Sequence, residues 1–256
     1  MKIGIFDSGI GGLSIVPSVR RALPNADIIY YADGKNVPYG EKKPIEILEY
    51  STTAVDFLVS KGAEAIVVAC NTATSVAVAA LREKYETPEM RIPIIGMEPA
   101  VKKALDVCGG GRVLVAATPV TVRGNKLKML VDKYDIHRLT DALPMPGLVR
   151  LAEAENFNAD EYIKEEISEL DISKYSVLVL GCTHFNYFKD SFRRILSPEI
   201  QIVDGVEGTT RRLVSRLPES VDGDGSIEFF LSGTKATNED KFARLLARLE
   251  EMEKIK

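Results

Sequence analysis

The chain has 256 residues with a formal net charge of -4, and 45% of its residues are hydrophobic. This length and apolar content are sufficient for one large or two smaller globular domains with a substantial core. A net negative charge without a long Lys/Arg run argues against a protein that binds along a nucleic-acid backbone. The composition favours a globular protein that acts on small molecules, with no nucleic-acid partner.

The chain shows no sign of secretion or membrane insertion. The first residues, MKIGIFDSGIGG, contain one Lys and only a short apolar stretch, so we expect no signal peptide. No apolar run approaches the roughly 20 residues that cross a bilayer. Cys70, Cys108 and Cys182 are widely spaced, which favours free thiols over a disulfide framework. We therefore expect a cytoplasmic protein without a membrane partner.

Short continuous apolar runs predict the strands. In chain order they cover residues 2–6, 28–31, 65–69, 112–117, 176–180 and 201–203. Continuous hydrophobicity is typical of parallel strands that helices cover on both faces. A further strand is expected after the loop LPESVDGDGSIE, before the last helix.

Helical patterns lie between the predicted strands. A helix that begins at Pro44 would place Ile47, Ala54 and Leu58 on one side. Near the end of the chain, an amphipathic stripe consists of Phe242, Leu245, Leu246 and Leu249. The alternation of strands and helices predicts an α/β fold with parallel sheets and right-handed crossovers.

Two pairs of predicted strands resemble each other at a nearly constant offset. The strand before Asp7 resembles the one before Thr118, and the strand before Cys70 resembles the one before Cys182, with offsets of 111 and 112 residues. A duplicated α/β unit would give this spacing, although short apolar strands also resemble one another by chance. We predict a first lobe formed by residues 1–96 and 208–256 and a second formed by residues 97–207.

Polar residues of chemical interest follow four of these strands. Ligands of open parallel sheets bind outside the carboxyl ends of the strands. The residues found there are Asp7, Ser8, Cys70, Asn71, Thr72, Thr118, Thr121, Cys182, Thr183 and His184. Two lobes would place one thiol on each side of a shared cleft.

Each of these residues also has a purely structural interpretation. A Cys at the end of an element is often a small buried hydrophobic residue, as we expect for Cys108. Asp7 could cap the next segment, and His184 could be a satisfied polar residue at a helix start. Cys70 and Cys182 precede small hydroxyl or amide residues at predicted helix starts, where free amides lower the pKa of a thiol. The glycines of DSGIGG would let the backbone approach a ligand.

Two thiols that face each other suit the inversion of a carbon centre that bears hydrogen. One base removes the proton from one face while an acid delivers a proton to the other. Three alternatives remain open. A Cys-His hydrolase would leave Cys70 without a role, and a zinc site formed by Cys70, Cys182 and His184 lacks compact ligand spacing. A non-catalytic two-lobe binding protein would need neither thiol.

The chain contains, in this order, the motifs GIFDSGIGGLS (4–14), YYADGKNVPYG (30–40), VACNTAT (68–74) and GCTHF (181–185). Together these four motifs resemble those of the glutamate racemases in the aspartate/glutamate racemase family. The resemblance spans essentially the whole chain and implies two α/β lobes, related by pseudo-twofold symmetry, with the active site between them. It also implies cofactor-independent interconversion of L- and D-glutamate that supplies D-glutamate for peptidoglycan synthesis, without cofactor or metal. Homodimers are common in the family, and a sister racemase acting on aspartate would keep both cysteines.

The same resemblance implies roles for individual residues. Cys70 would serve the D-enantiomer with help from Asp7, and Cys182 would serve the L-enantiomer with help from His184. Glu153 lies where the family places a carboxylate near that histidine, although its surroundings, LVRLAEAE, depart from the usual FVPLIE-like form. The residues that would hold the substrate are Ser8, Tyr39, Gly40, Asn71, Thr72, Thr118, Thr121 and Thr183.

Overall fold

The structure is a computed structural model that describes residues 1–255. Its strands are β1 (Lys2–Asp7), β2 (Asp27–Ala32), β3 (Ala65–Val68), β4 (Ile94–Gly96), β5 (Arg112–Ala117), β6 (Thr140–Pro144), β7 (Tyr175–Leu180), β8 (Gln201–Asp204), β9 (Ile227–Leu231) and β10 (Thr234–Lys235). Its α-helices are α1 (Val16–Ala22), α2 (Pro44–Ser60), α3 (Asn71–Tyr85), α4 (Val101–Val107), α5 (Pro119–Arg123), α6 (Asn125–Tyr134), α7 (Gly147–Glu153), α8 (Asp160–Ile167), α9 (Lys189–Ile195), α10 (Val206–Val214) and α11 (Glu239–Glu253). Short 3₁₀ helices cover Gly11–Ile15, Tyr39–Glu41, Ile172–Lys174 and Thr183–Phe188.

The strands form two sheets, which confirms the predicted α/β class. One sheet has the order β10-β9-β2-β1-β3-β4, and the other has the order β6-β5-β7-β8. Neighbouring strands are parallel except for the pair β9–β10. The order β2-β1-β3-β4 in the first sheet recurs as β6-β5-β7-β8 in the second, as expected for a duplicated unit. The lobe boundaries after residues 96 and 207 remain a prediction.

All the strands predicted from apolar runs are present in the structure. The strands that the sequence did not predict lie at the edges of the sheets. β4, β6 and β10 are terminal strands of their sheets. β6 is only partly covered, with no residue of Thr140–Pro144 fully buried. An edge strand can form with a weaker apolar signal because one side pairs with no neighbour. Apolar continuity therefore identified the central strands, which carry the site.

Both predicted amphipathic helices pack by their apolar faces. Helix α2 begins at Pro44 and buries Ile47, Ala54 and Leu58. Helix α11 buries Phe242, Leu245 and Leu249 and leaves Leu246 partly exposed. The ring of Phe242 stacks on that of Phe229 in β9, with centroids 4.3 Å apart. The end of the chain thus returns to the first sheet, because β9 pairs with β2.

The two sheets share one part of their core. A single hydrophobic cluster joins Ile5 of β1 and Leu180 of β7 through Leu13 and Phe185 of two 3₁₀ helices. Burying side chains of this size contributes about 1.5–3 kcal/mol each. This shared packing holds the carboxyl ends of β1 and β7 in a fixed relation. Within residues 1–255, no helix has both the length and the hydropathy needed to span a bilayer.

Candidate active site

The candidate residues gather at the carboxyl ends of four strands. β1 ends at Asp7, and the neighbouring strand β3 leads into Cys70, which begins α3. In the second sheet, β5 leads into Thr118 and the neighbouring β7 leads into Cys182. The two cysteines thus follow equivalent strands of the two sheets, and both are buried.

The thiol of Cys70 is almost completely buried. Its Sγ accepts a hydrogen bond from the Ala73 amide at 3.4 Å and lies 3.6 Å from Ser8 Oγ. Burial, reinforced by the charge of Asp7, raises the pKa of Cys70 to about 12, although the contacts with Ala73 and Ser8 lower it. The amide at the start of α3 lowers this pKa, as expected, but desolvation outweighs it and the net shift is upward. Cys70 is a neutral thiol at neutral pH and can donate a proton.

Cys182 lies beside an imidazole–carboxylate pair. Its Sγ is 3.9 Å from His184 Nδ1, and His184 Nε2 is 2.6 Å from Glu153 Oε1. The Ile10 amide also donates to Glu153 Oε1, at 2.8 Å. Glu153 therefore lies where the resemblance implied, despite the divergent sequence around it.

The charges of this pair reinforce each other. Burial lowers the pKa of His184, but its contacts with Cys182 and Glu153 raise that pKa well above its ordinary value. Burial raises the pKa of Glu153, but the hydrogen bond with His184 and its charge bring it below the usual value. The pair is thus an imidazolium and a carboxylate at neutral pH. The positively charged ring lies next to the sulfur of Cys182, within 3.9 Å.

Asp7 connects the two sides of the site. Its carboxylate accepts hydrogen bonds from Thr183 Oγ1 at 3.1 Å and from the Gly9 amide at 3.3 Å. Burial raises the pKa of Asp7 to about 6, while the charge of His184 and the Gly9 amide lower it and Glu153 raises it further. A carboxyl group with this pKa can exchange a proton near neutral pH.

The glycines of DSGIGG make room for the protein's own acid–base groups. A Cβ atom on Gly9 would overlap the Glu153 carboxylate, and one on Gly11 would overlap His184. A Cβ atom on Gly12 would lie 2.6 Å from Cβ of Asp7. The motif predicted as a ligand-approaching backbone therefore contacts acid–base side chains directly.

Three threonine hydroxyls meet where the two lobes face each other. Thr72 Oγ1 of α3 lies 2.9 Å from Thr118 Oγ1, which donates to Thr121 Oγ1 at 3.1 Å. Gly40 packs on the same threonine, since a Cβ atom on Gly40 would lie 2.6 Å from Thr118 Cβ. The Tyr39 hydroxyl donates to Asp33 Oδ2 at 2.7 Å, so Asp33 fixes that ring. Each of the three threonine hydroxyls in this cluster can donate a hydrogen bond to a carboxylate.

Asn71 has one satisfied and one unsatisfied polar atom. Its Nδ2 donates to the Met97 carbonyl at 3.1 Å. Its Oδ1 is buried and accepts no hydrogen bond from residues 1–255. An unsatisfied buried acceptor costs about 1–3 kcal/mol, which a ligand donor can recover. Asn71 Oδ1 is therefore a candidate contact for an ammonium group.

The donors needed for the zinc alternative do not converge. Within residues 1–255, no group of three or more His, Cys, Asp or Glu side chains has the arrangement of a metal site. A catalytic zinc site needs three protein ligands at coordination distance. Cys108 lies apart from the site at the end of α4, where its Sγ–H donates to the Leu105 carbonyl. Its structural interpretation therefore agrees with its position.

Comparison with known proteins decides the family. The model of the Asp/Glu/Hydantoin racemase family matches residues 12–213. The chain belongs to this family. It is 51% identical over 271 aligned residues to a glutamate racemase from Campylobacter curvus, with both chains covered completely.

Solved structures of racemases share this fold. The crystal structure of Escherichia coli glutamate racemase, in complex with L-glutamate and the activator UDP-MurNAc-ala, matches with a TM-score of 0.82 and 28% identity. That match covers 97% of this chain and 94% of the other. The Francisella tularensis glutamate racemase, in complex with D-glutamate, matches with a TM-score of 0.81 and 27% identity, covering 96% and 93%. The racemase fold is thus shared over nearly the full length.

The sequence analysis did not identify the residues that form hydrogen bonds to the site residues and hold them in place. Asp33 accepts hydrogen bonds from Asn36, Tyr39 and Ser232, and it holds the Tyr39–Gly40 turn in place. Asp33 stands inside the motif YYADGKNVPYG, so its place beside Tyr39 was a usable signal. The Ile10 amide left no such signal, because a backbone donor has no side-chain identity.

Proposed function

We propose that this protein interconverts L- and D-glutamate without a cofactor, using Cys70 and Cys182 as a pair of opposed acid–base groups. The observation that supports this most strongly is the equivalence of the two thiols. Each is buried, follows the same strand of its sheet and has its own polar partner. A Cys-His hydrolase or a binding protein has no need for the second thiol.

The glutamate specificity is supported by the relatives. Proteins named glutamate racemase are 51% and 50% identical to this chain over its full length. Two structures that match nearly the whole chain hold L-glutamate and D-glutamate. These relatives make glutamate the first substrate to test.

In the direction from L to D, the thiolate of Cys182 removes the α-proton of L-glutamate. The C–H electron pair stays on the carbon, and the neutral thiol of Cys70 delivers its proton to the opposite face. This turnover leaves Cys70 as the thiolate and Cys182 as the neutral thiol. In the reverse direction that form reacts, because the Cys70 thiolate removes the α-proton of D-glutamate and the Cys182 thiol delivers a proton. The imidazolium of His184, held by Glu153 at 2.6 Å, stabilises the Cys182 thiolate. Asp7, whose pKa is raised to about 6 by burial, serves the Cys70 side.

Charge that develops on the substrate carboxylate needs hydrogen-bond donors. We assign this task, and the binding of the side-chain carboxylate and ammonium, to the polar residues around the thiols. They are Ser8, Tyr39, Gly40, Asn71, Thr72, Thr118, Thr121 and Thr183. The unsatisfied Asn71 Oδ1 is the acceptor for the ammonium group.

The experiment is incubation of the purified protein with L-glutamate in deuterated water, with a chelator and without pyridoxal phosphate. The α-proton signal is followed by NMR and the optical rotation by polarimetry. Loss of both supports a cofactor-free glutamate racemase. If glutamate is unchanged while L-aspartate reacts, the specificity is wrong; if no acidic amino acid reacts, the proposed activity is wrong.

The biological role and assembly follow as separate proposals. The D-glutamate produced would supply peptidoglycan synthesis, so a strain without this gene should need added D-glutamate to grow. A homodimer, common in the family, remains a prediction that sedimentation of the purified protein tests.

A further inference from the structure

Helix α11 carries three basic residues on one side, in addition to its apolar stripe. Lys241, Arg244 and Arg248 stand at positions i, i+3 and i+7, which share one side of a helix. Their partners lie on two other chain segments, those that continue from Glu153 and from His184. The helix therefore contacts both segments that supply the imidazole–carboxylate pair.

The first contact holds the segment after Glu153. Lys241 Nζ lies 2.9 Å from Glu155 Oε1, and Arg244 Nη2 lies 3.6 Å from Glu155 Oε2. Glu155 has a φ of 53°, a left-handed conformation that is unusual for a residue with a side chain. The two basic residues thus secure a sharp turn only two residues beyond Glu153.

The second contact is made by Arg248 and is the most extensive. Its Nη2 and Nε both donate to the Tyr187 carbonyl, at 2.7 and 3.1 Å, and Nη2 also donates to Asp190 Oδ1 at 3.0 Å. The guanidinium lies over the ring of Phe157, 4.6 Å from its centroid. That ring in turn stacks on the ring of Tyr187, with centroids 5.1 Å apart. The Arg248 side chain is only 21% exposed, so these contacts are shielded from water.

Tyr187 relays this contact to the catalytic groups. It belongs to the 3₁₀ helix Thr183–Phe188, three residues after His184. Its hydroxyl donates to the Ile10 carbonyl at 3.1 Å, and the Ile10 amide donates to Glu153 Oε1 at 2.8 Å. Arg248 is thus linked to His184 along the backbone and to Glu153 through hydrogen bonds.

We propose that Arg248 is a positioning residue for proton transfer at Cys182: by fixing Tyr187 and Phe157 together, it holds His184 and Glu153 in register with the thiol. Arg248 itself touches no reacting atom. The proposal rests on the proposed racemase function. The hydrogen-bond partners of Cys70 Sγ, the Ala73 amide and the Ser8 hydroxyl, are not members of this network, so we expect only one of the two proton transfers to depend on it.

The experiment compares three variants with the unmodified protein. Arg248→Met removes the guanidinium but keeps a long apolar chain, and Arg248→Lys keeps the charge and an N–H donor. Arg21→Gln is the matched control. Arg21 belongs to α1 and forms an ion pair with Glu253 of α11 at 2.9 Å, so this variant also removes an arginine that contacts α11. For each protein, kcat/KM and its isotope effect are measured with α-deuterated L-glutamate and with α-deuterated D-glutamate.

For Arg248→Met we expect kcat/KM to fall about 10-fold to 100-fold, the range for a small displacement of a catalytic group. The isotope effect should rise for the enantiomer that Cys182 deprotonates and fall for the other, because one transfer becomes more rate-limiting. Arg248→Lys should recover part of the loss, and Arg21→Gln should match the unmodified protein. Loss of folded protein alone lowers both rates without altering either isotope effect.

Three results would overturn the proposal. Unchanged isotope effects in Arg248→Met would reduce the role of Arg248 to folding, and equal shifts for both enantiomers would remove its one-sided character. The same shifts in Arg21→Gln would assign the effect to general docking of α11. If the unmodified protein does not racemise glutamate, the proposed function fails first, and this inference fails with it.

Discussion

The surroundings of Cys70 and Cys182 differ, although the two thiols hold equivalent places in the two sheets. The Sγ of Cys70 forms hydrogen bonds with the Ala73 amide and the Ser8 hydroxyl, and burial raises its pKa to about 12. Cys182 faces His184, whose pKa is raised by its contacts with Cys182 and Glu153 in spite of burial. The two sheets thus place a thiol at equivalent positions, but only Cys182 forms a hydrogen-bond contact with a charged side chain among residues 1–255. The two enantiomers have equal free energy, but the groups around the two thiols that would deprotonate them differ.

The largest expected effect tests whether both thiols are needed at all. Cys70→Ser and Cys182→Ser should each reduce racemisation by at least about 10²–10⁴-fold, because a serine hydroxyl is a far weaker acid and base in either role. Polarimetry with each enantiomer measures the rates. Cys108→Ser is the control, since Cys108 is buried away from the site and should leave activity intact. Substantial activity in either of the first two variants would remove the two-base assignment.

The next effect tests the asymmetry between the two sides. His184→Asn should lower kcat by about 100-fold in one direction and by much less in the other, because it removes the charged partner of Cys182 alone. The two directions are compared by polarimetry that starts from each pure enantiomer. The ratio of kcat/KM values must stay at one, since enantiomers have equal free energy. Equal slowing of kcat in both directions would show that His184 is not confined to one side.

Asp7 offers a test of the free-energy cost of burying an ionised carboxylate in the site that contains the two thiols. Its folded pKa, raised to about 6 by burial, exceeds the ordinary value of 3.8. Its contribution to stability is therefore fully present below about pH 3.8 and is lost as the pH rises through about 6. Asp7→Asn, which cannot ionise, should raise the free energy of unfolding at pH 8 by up to about 3 kcal/mol relative to its effect near pH 4.

Urea unfolding of Asp7→Asn and of the unmodified protein across this pH range checks that prediction. Asp106→Asn serves as the control, because Asp106 is exposed and pairs with Lys102 in the same helix. The groups around the Asp7 carboxylate are Thr183, the Gly9 amide, His184 and Glu153. The charge of His184 lowers the pKa of Asp7, and the charge of Glu153 raises it. A difference between variants that does not vary with pH would mean that Asp7 is not the titrating group.

The smallest effect concerns the part of the site that belongs to neither thiol. Thr121→Val removes one hydroxyl from the cluster with Thr72 and Thr118, which costs about 1 kcal/mol of hydrogen bonding. We expect KM to rise about 5-fold to 10-fold for both enantiomers, since this cluster contacts neither sulfur. Initial rates over a range of concentrations measure it. A change in KM for one enantiomer only would assign the cluster to one side.

The candidate site was predictable from sequence wherever the chemistry lay at a central strand end. Asp7, Cys70, Thr118 and Cys182 each stand at or just after the end of a short apolar run that forms a strand, so their convergence follows from the rule for parallel sheets. Glu153 was placed only by resemblance, because it lies at the end of a short helix whose sequence gives no distance to His184. Arg248 lies within the predicted amphipathic helix, but the sequence pattern indicates no role for it.

By itself, the sequence determined the α/β class, the central strands and the two equivalent thiols, because apolar continuity and residue order are local properties. Only the tertiary structure decided the protonation of Cys70 and the hydrogen-bond partners of both thiols. The burial that raises the pKa of Cys70, and the contact of Glu153 with His184, join segments far apart in the chain. The same is true of the link from α11 to Tyr187. Desolvation and hydrogen bonding depend on distance in space, and the order of residues does not contain it.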